Sequence, residues 1–202
     1  MTRAEDASVT RERILSHAGG LFADGGFDAV SIADIASAAG ISTGLVYYHF
    51  KDKQTLYETA VREGVHLLEE AAVATLGADA EPAERLRRFV ASYMRLLEGQ
   101  PALMRLLIRS VSDLGGPAPG HVLMRSAAIV DRLRTVLEEG IAAGAFRQVD
   151  AQMAATALFA LINTLMTARV LDTPLGQSTT ADVDTQAAFM TDLFFEGIAE
   201  CS

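Results

Sequence analysis

Two short helix-forming segments separated by a glycine, within residues 31–53 (SIADIASAAGISTGLVYYHFKDK), constrain the fold more than any other part of the sequence. Ser31 can cap the first segment, and Asp34 follows three positions later in a pattern close to a capping box. Gly40 allows a turn, after which Ser42 can cap the second segment. Because two short helices joined by a three- or four-residue turn are typical of a helix-turn-helix, we predict that motif here.

Hydrophobic periodicity predicts an all-α fold. Half of the residues are hydrophobic and 6% are aromatic, and apolar residues recur at helical spacing without clean alternation of apolar and polar positions. We predict about nine helices in two domains. A helix-turn-helix domain of three helices spans residues 1–50, with a disordered tail over residues 1–8. A long fourth helix leads into a second, helical domain over residues 51–202.

The overall charge has the wrong sign for a protein that coats nucleic acid. The chain has 17 Lys and Arg residues against 26 Asp and Glu residues, a formal net charge of −9. Residues 1–60 alone hold five basic and eight acidic side chains. Non-specific binding to nucleic acid depends on an excess of positively charged side chains. Any DNA binding by this chain must therefore come from a local surface patch.

Few features of the sequence indicate catalysis, metal binding or membrane insertion. Its four histidines are not placed at ligand spacing, and no catalytic or phosphate-binding motif is present, so we predict no enzyme activity, no metal site and no cofactor. The single cysteine, Cys201, fits a reducing compartment and therefore a cytoplasmic protein. Residues 151–168 carry no charge, but five polar side chains interrupt them, and we predict a buried helix there instead of a membrane span.

The second helix of the motif carries groups suited to DNA. A recognition helix presents its first residues to base edges and is flanked by groups that hold phosphates. Hydroxyl, glycine, aromatic and basic residues meet these needs, and the candidates are Ser42, Thr43, Gly44, Tyr47, Tyr48, His49 and Lys53. Leu45 or Val46 can contact a thymine methyl group. Periodicity does not decide which of Tyr47 and Tyr48 faces outwards, and the alternative for the aromatic run is packing, which we favour for Phe50.

Two apolar helices near the C-terminus predict a contact between two copies of the chain. Adjacent apolar helices can pair with the same helices of a second copy in a four-helix bundle. We therefore predict a homodimer. The interface candidates are Leu158, Leu161 and Leu165 on the first helix and Met190, Phe194 and Ile198 on the second.

The first 60 residues resemble the DNA-binding domain of the TetR family of bacterial transcriptional regulators. The segments LFADGGFDAV, SIADIASAAGIS and TGLVYYHFKDKQTLY match the family's pattern almost without a break. The resemblance implies a homodimeric, ligand-responsive repressor that holds a palindromic operator in double-stranded DNA and is released by a small-molecule effector. An activator or corepressor-dependent regulator of the same fold is an alternative, and so is a small-molecule-binding helical protein without specific DNA binding.

The resemblance also implies roles for individual positions. Positions that commonly hold phosphates are matched by Ser31, Tyr48 and Lys53. Positions that face the DNA groove are matched by Thr43, Gly44 and Tyr47, and a position near the DNA backbone is matched by His49. Ala33 stands where some members place a basic side chain on a base, so base recognition by this chain is expected to depend on few side chains.

The resemblance further implies that residues 51–202 form an effector-binding and dimerisation domain, with an effector cavity enclosed by its central helices. The candidate effector-binding residues are Tyr93, Met104, Arg105, Arg109, His121, Phe159, Asn163 and Met166. Each has a structural alternative. Met and Phe are usually plain core residues, and two arginines four positions apart, such as Arg105 and Arg109, are usually solvated or paired with acids.

Overall fold

The computed structural model of the chain describes residues 3–112, 119–177 and 181–198, and every regular element within these ranges is a helix. The helices are α1 (Arg3–Ala29), α2 (Ile32–Ala39), α3 (Thr43–His49), α4 (Lys53–Leu76), α5 (Pro82–Gly99), α6 (Pro101–Ser112), α7 (Pro119–Ala142), α8 (Ala151–Val170), α9 (Pro174–Gln177) and α10 (Val183–Ile198). The predicted all-α fold is confirmed. The described ranges hold ten helices where about nine are predicted, because the four-residue α9 follows α8.

Helix α1 extends into the segment predicted as a disordered tail. It begins at Arg3, so most of the segment predicted as a disordered tail over residues 1–8 is helical. Alanine and glutamate have high helix propensity, and Ser8 Oγ donates to Glu12 Oε1 at 3.2 Å across one turn, which stabilises this part. Regular helix geometry is interrupted at Gly26, whose φ of 81° is left-handed.

The chain forms two compact units. The first comprises residues 1–66 and 102–123, and the second comprises residues 67–101 and 124–202. The first unit therefore contains α1, α2, α3, part of α4 and also α6, which lies far along the sequence. The domain boundary near residue 50 stays a prediction, because a compact unit need not coincide with a functional domain.

An aromatic cluster lies at the centre of the first unit. The ring of Tyr57 on α4 lies 5.0 Å from that of Phe22 and 5.2 Å from that of Phe27, edge to face in both cases. Ile35 from α2 and Val46 from α3 are fully buried in the same unit. Burying a large apolar side chain contributes about 1.5–3 kcal/mol to the stability of the fold. Val46 therefore anchors the inner side of α3, while the outer side of the helix remains exposed to solvent.

In the second unit α5 packs against α8 and α10. The buried side of α5 consists of Leu86, Phe89, Val90, Tyr93, Met94 and Leu97. The buried stripe of α8 includes Ala151, Ala155, Leu158, Ile162 and Met166. By length and composition α8 is the one described helix that could cross a membrane. One such helix is weak evidence for a membrane span, because the core helix of a soluble protein meets the same criterion; in α8, 28% of the apolar window is buried.

Gly140→Ala is expected to destabilise the second unit. A Cβ atom at Gly140 on α7 would lie 2.3 Å from ring atoms of Phe146, which is 4% exposed. Overpacking of this kind costs about 1–3 kcal/mol, whereas alanine gains only ~1 kcal/mol over glycine in a helix. Thermal unfolding followed by circular dichroism measures the change.

Gly19→Ala is the matched control, because Gly19 lies within α1 and a Cβ atom there would meet no atom of another element within 4 Å. This substitution is expected to raise the melting temperature. A Gly140→Ala protein as stable as the wild type would contradict the packing of Phe146 against α7.

Candidate nucleic-acid interface

A reciprocal pair of hydrogen bonds begins α2. Ser31 Oγ accepts from the Asp34 amide at 3.2 Å, and Asp34 Oδ2 accepts from the Ser31 amide at 2.9 Å. This is the predicted capping box. The Ser31 hydroxyl also donates to Asp34 Oδ2 at 2.6 Å, and this bond lowers the pKa of the Asp34 carboxyl below its ordinary value. A phosphate at Ser31 would compete with the Asp34 carboxylate for the hydroxyl proton.

Gly40 makes the turn between α2 and α3. Its φ of 64° is left-handed, a conformation that costs an L side chain about 1–2 kcal/mol. The Gly40 amide donates to Ser37 O at 3.1 Å and so satisfies a terminal carbonyl of α2. Ser42 Oγ then accepts from the Leu45 amide at 3.2 Å and caps α3. The predicted helix-turn-helix is therefore present.

The outward side of α3 brings the predicted DNA-contacting residues together. Val46 is 0% exposed and Phe50 is 4% exposed, whereas Leu45, Tyr47 and Tyr48 are 37%, 54% and 78% exposed. Leu45, not Val46, is therefore accessible to a thymine methyl group. Both tyrosines face outwards, Tyr48 more than Tyr47, and Phe50 is a packing residue as predicted.

We use the term recognition face for the exposed residues of α3 and its cap, which are Ser42, Thr43, Gly44, Leu45, Tyr47 and Tyr48. His49 at the end of α3 is half-buried, and its ring lies 5.2 Å from that of Tyr48, edge to face. The structure thus places these candidates on one surface. Their contacts with DNA stay predictions.

Lys53 is tied to the end of α1. Its Nζ donates to Phe27 O at 2.9 Å and lies 4.4 Å from the centre of the Phe27 ring, so the ammonium meets a carbonyl and an aromatic face together. Because an ammonium has three donors, others remain for a phosphate. Lys51 is exposed. Asp52 caps α4 by accepting from the Thr55 amide at 2.7 Å, which lowers the pKa of its carboxyl.

Four predicted effector-binding residues lie on α5 and α8 of the second unit. Tyr93 is 2% exposed, and burial raises the pKa of its phenol, which also shares a hydrogen bond with the Asn163 side chain. Asn163 Nδ2 donates to Phe159 O at 2.8 Å, and the Phe159 ring lies 5.8 Å from that of Tyr93. Met166 is 1% exposed. A phenol and an amide among apolar side chains can orient one polar group of a ligand.

The other predicted effector-binding residues lie elsewhere. Those on α6, in the first unit, are Met104, Arg105 and Arg109. Arg105 pairs with the Asp24 carboxylate at 3.0 Å, and Arg109 donates to Ala23 O at 2.7 Å. Both arginines thus have protein partners, and their contact with an effector stays a prediction. The side chain of His121 lies outside the described part of the chain. No three His, Cys, Asp or Glu side chains among the described residues are placed to hold a metal ion.

An apolar groove of about 520 Å³ lies between α8, α9 and α10. It is lined by Leu161, Thr164, Leu165, Leu175, Phe189, Met190, Leu193, Phe194 and Gly197, none of which is charged. Four of the six predicted interface residues are among them. Leu158 is instead 1% exposed and lies in the core, while the side chain of Ile198 lies outside the described residues.

Leu175 on α9 is a groove residue that sequence reasoning missed. It is 57% exposed and stands alone in a segment, DTPLGQSTT, whose glycine, proline and hydroxyl residues predict only a loop. The position of α9 comes from close packing on α8, because a Cβ atom at Gly176 would lie 2.2 Å from Ala168 O. An isolated leucine between turn residues is the only signal that the sequence contains.

Comparison with known families covers both parts of the chain. Residues 14–60 match the family described as bacterial regulatory proteins, tetR family. Residues 79–167 match the tetracyclin repressor-like C-terminal domain. These matches confirm the predicted resemblance of the first 60 residues and extend it to the second part.

Individual relatives agree with these matches. The chain is 31% identical over 140 residues to the HTH-type transcriptional repressor KstR2 of Mycolicibacterium smegmatis, which covers 68% of this chain and 67% of that protein. It is 31% identical over 148 residues to the HTH-type transcriptional repressor NicS of Pseudomonas putida, and the match covers 72% of this chain and 69% of that protein. The structure of the transcriptional regulator FadR of Bacillus subtilis in complex with stearoyl-CoA matches with a TM-score of 0.77 at 21% identity. The match covers 93% of this chain and 98% of that chain, and it shows a likeness of fold.

Proposed function

Because the chain belongs to the tetR family of bacterial regulatory proteins, we propose that it represses transcription as a homodimer that holds a palindromic operator through the recognition face. As a member of this family it is a ligand-responsive, DNA-binding transcriptional regulator. The relatives that it matches are regulators, not enzymes. The observation that carries the proposed contact is the exposure of Leu45, Tyr47 and Tyr48 on a helix whose other side is buried.

The groups on the recognition face suit different parts of DNA. The hydroxyls of Thr43, Tyr47 and Tyr48 can hydrogen-bond phosphate oxygens or base edges, while Gly44 lets DNA approach the backbone. Leu45 supplies an apolar contact for a thymine methyl group. The recognition face carries no charged side chain, so one copy grips DNA weakly. Two copies acting on two half-sites are therefore part of the proposal.

A second copy of the chain is the proposed occupant of the apolar groove. Phe189, Leu193, Leu175 and Leu161 are 53–67% exposed around it, an apolar surface of the kind that a partner covers. In a twofold dimer the same patch meets itself, so α8 and α10 of each copy form a four-helix bundle. This pairing sets the distance between two recognition faces, which must be about 34 Å to reach successive major grooves.

The effector is proposed to be a small molecule bound in the second unit beside Tyr93 and Asn163. The phenol and the amide would orient its polar part, while Phe159 and Met166 would cover its apolar part. To release DNA, the ligand must bind more tightly to a dimer with another spacing, since equal affinity for both states shifts nothing. Because FadR of Bacillus subtilis holds stearoyl-CoA, long-chain acyl-CoA thioesters are the first class to test.

Selection of a binding sequence tests the proposal directly. Purified wild-type protein selects a duplex from a random pool, and its Kd is compared with that for a scrambled duplex at several salt concentrations. We expect a palindrome with half-site centres about 10 base pairs or a multiple apart, and a preference of at least ~1,000-fold. Equal affinity for both duplexes would favour a helical small-molecule-binding protein without specific DNA binding.

Leu45→Ala is expected to weaken binding where the selected duplex offers a thymine methyl group. Loss of one methyl contact costs about 0.8 kcal/mol, roughly fourfold in Kd. The Kd of the wild-type protein and that of Leu45→Ala are measured on the thymine duplex and on a duplex in which uracil replaces that thymine. These four values form a double-mutant cycle. The fourfold difference between the two proteins should vanish on uracil DNA.

Val46→Ala is the control, because Val46 is 0% exposed and lies on the inner side of α3. It is expected to lower the melting temperature and to respond equally to thymine and uracil. If Leu45→Ala lost the same affinity on both duplexes, Leu45 would not take part in base recognition.

Lys53→Ala is expected to weaken binding to the selected and the scrambled duplex alike. A contact between an ammonium and a phosphate does not distinguish one DNA sequence from another. Loss of one such contact lowers the slope of log Kd against log salt concentration by about 0.9. Lys51→Ala, two residues away and exposed, removes the same charge and serves as control. Equal changes of slope for the two variants would mean that general charge, not a contact of Lys53, is responsible.

Phe189→Asp is expected to convert the dimer to monomers. Phe189 is 67% exposed at the groove, and a carboxylate buried there without a partner costs several kcal/mol. Light scattering measures the mass, and the selected duplex should lose affinity in parallel. Met124→Asp on α7, where the side chain is 76% exposed, is the control and should stay dimeric. A dimeric Phe189→Asp protein would place the interface elsewhere.

A further inference from the structure

Side chains from α6 bind the carbonyl end of α1. Gly26 has a non-helical conformation, so regular helix geometry in α1 ends before it, and the last carbonyls of a regular helix generally lack partners within the helix. Arg109 donates from Nε to Ala23 O at 2.7 Å and from Nη2 to Asp24 O at 2.9 Å. One turn earlier on α6, Arg105 Nη2 binds the Asp24 carboxylate at 3.0 Å. These partners are more than 80 residues apart in the sequence.

The bound carbonyls adjoin the segment that leads into the helix-turn-helix, which we call the α1–α2 corner (residues 26–31). Within it, Phe27 O accepts from Lys53 Nζ, and the Phe27 ring packs on Tyr57. Ser31 at its end caps α2. Cations at the carbonyl end of a helix also interact favourably with the helix dipole. Both α4 and α6 therefore hold this corner.

We infer that Arg109, assisted by Arg105, is a positioning residue for DNA binding. By holding the end of α1 it keeps the α1–α2 corner, and with it the recognition face, in the conformation that binds DNA. When this conformation is only partly populated, the apparent Kd rises by the inverse of its fraction. The inference rests on the proposed function and adds to it, because α6 then sets DNA affinity without touching DNA.

The test uses full-length Arg109→Ala protein and the selected duplex. We expect the Kd to rise about fivefold, equivalent to about 1 kcal/mol. The salt slope should be unchanged, because no phosphate contact is lost. Amide hydrogen exchange should become faster in the α1–α2 corner. Arg109→Lys, whose ammonium replaces one guanidinium bond but not both, should give intermediate values of Kd and exchange.

Arg132→Ala is the matched control, since Arg132 is an exposed arginine on α7 and its loss removes the same charge. It should leave the Kd and the exchange of the corner unchanged. If Arg109→Ala does not fold by circular dichroism, Arg105→Ala takes its place. That variant keeps both carbonyl bonds and should show a smaller rise in Kd with the same unchanged slope.

Three results would overturn the inference: a wild-type Kd for Arg109→Ala, a wild-type exchange rate in the corner, or a salt slope lower by about one. The last would make Arg109 a phosphate contact. Failure of the proposed function is distinguishable, because the wild-type protein would then select no sequence before any variant is compared.

Discussion

The recognition face depends on the burial of the opposite side of α3. A helix of seven residues is too short to be stable alone, so its geometry comes from the burial of Val46 and Phe50, from the turn at Gly40 and from the Ser42 cap. The same burial leaves the remaining side chains of the helix in solvent. Stability and the proposed DNA contacts therefore occupy opposite sides of one element, and exposed aromatic residues there are a consequence of its small size.

Signals that act over three or four residues could be predicted from the sequence, and long-range partners could not. The Ser31 and Asp34 pair lies within one turn, and its chemistry alone identifies the start of α2. The partners of Arg109 lie more than 80 residues away, and nothing in their local sequence indicates them. Periodicity also failed to rank Tyr47 and Tyr48, because α3 has only two turns.

Helix α8 shows a second limit of sequence patterns. Helical spacing predicts one apolar side for Leu158 and Leu161, yet Leu158 is 1% exposed in the core and Leu161 is 53% exposed at the groove. The leucines of α8 lie on more than one surface of the helix, and only packing against α5 decides which of them are already covered. What α5 leaves uncovered is continuous with α10 and, through Leu175, with α9. The surface proposed to meet a second copy is thus what remains after the second unit has formed its own core.

The acidic composition is compatible with DNA binding because several acids of the first unit have structural partners. Asp34 and Asp52 accept hydrogen bonds at the starts of α2 and α4, and Asp24 is paired with Arg105. These bonds fix the carboxylates in the fold, and their negative charge opposes non-specific attraction to DNA, which depends on positively charged side chains. What matters for a regulator is the ratio of specific to non-specific affinity. A net negative charge lowers the non-specific affinity, so a few directed contacts from the two recognition faces of the proposed dimer can still give a large ratio.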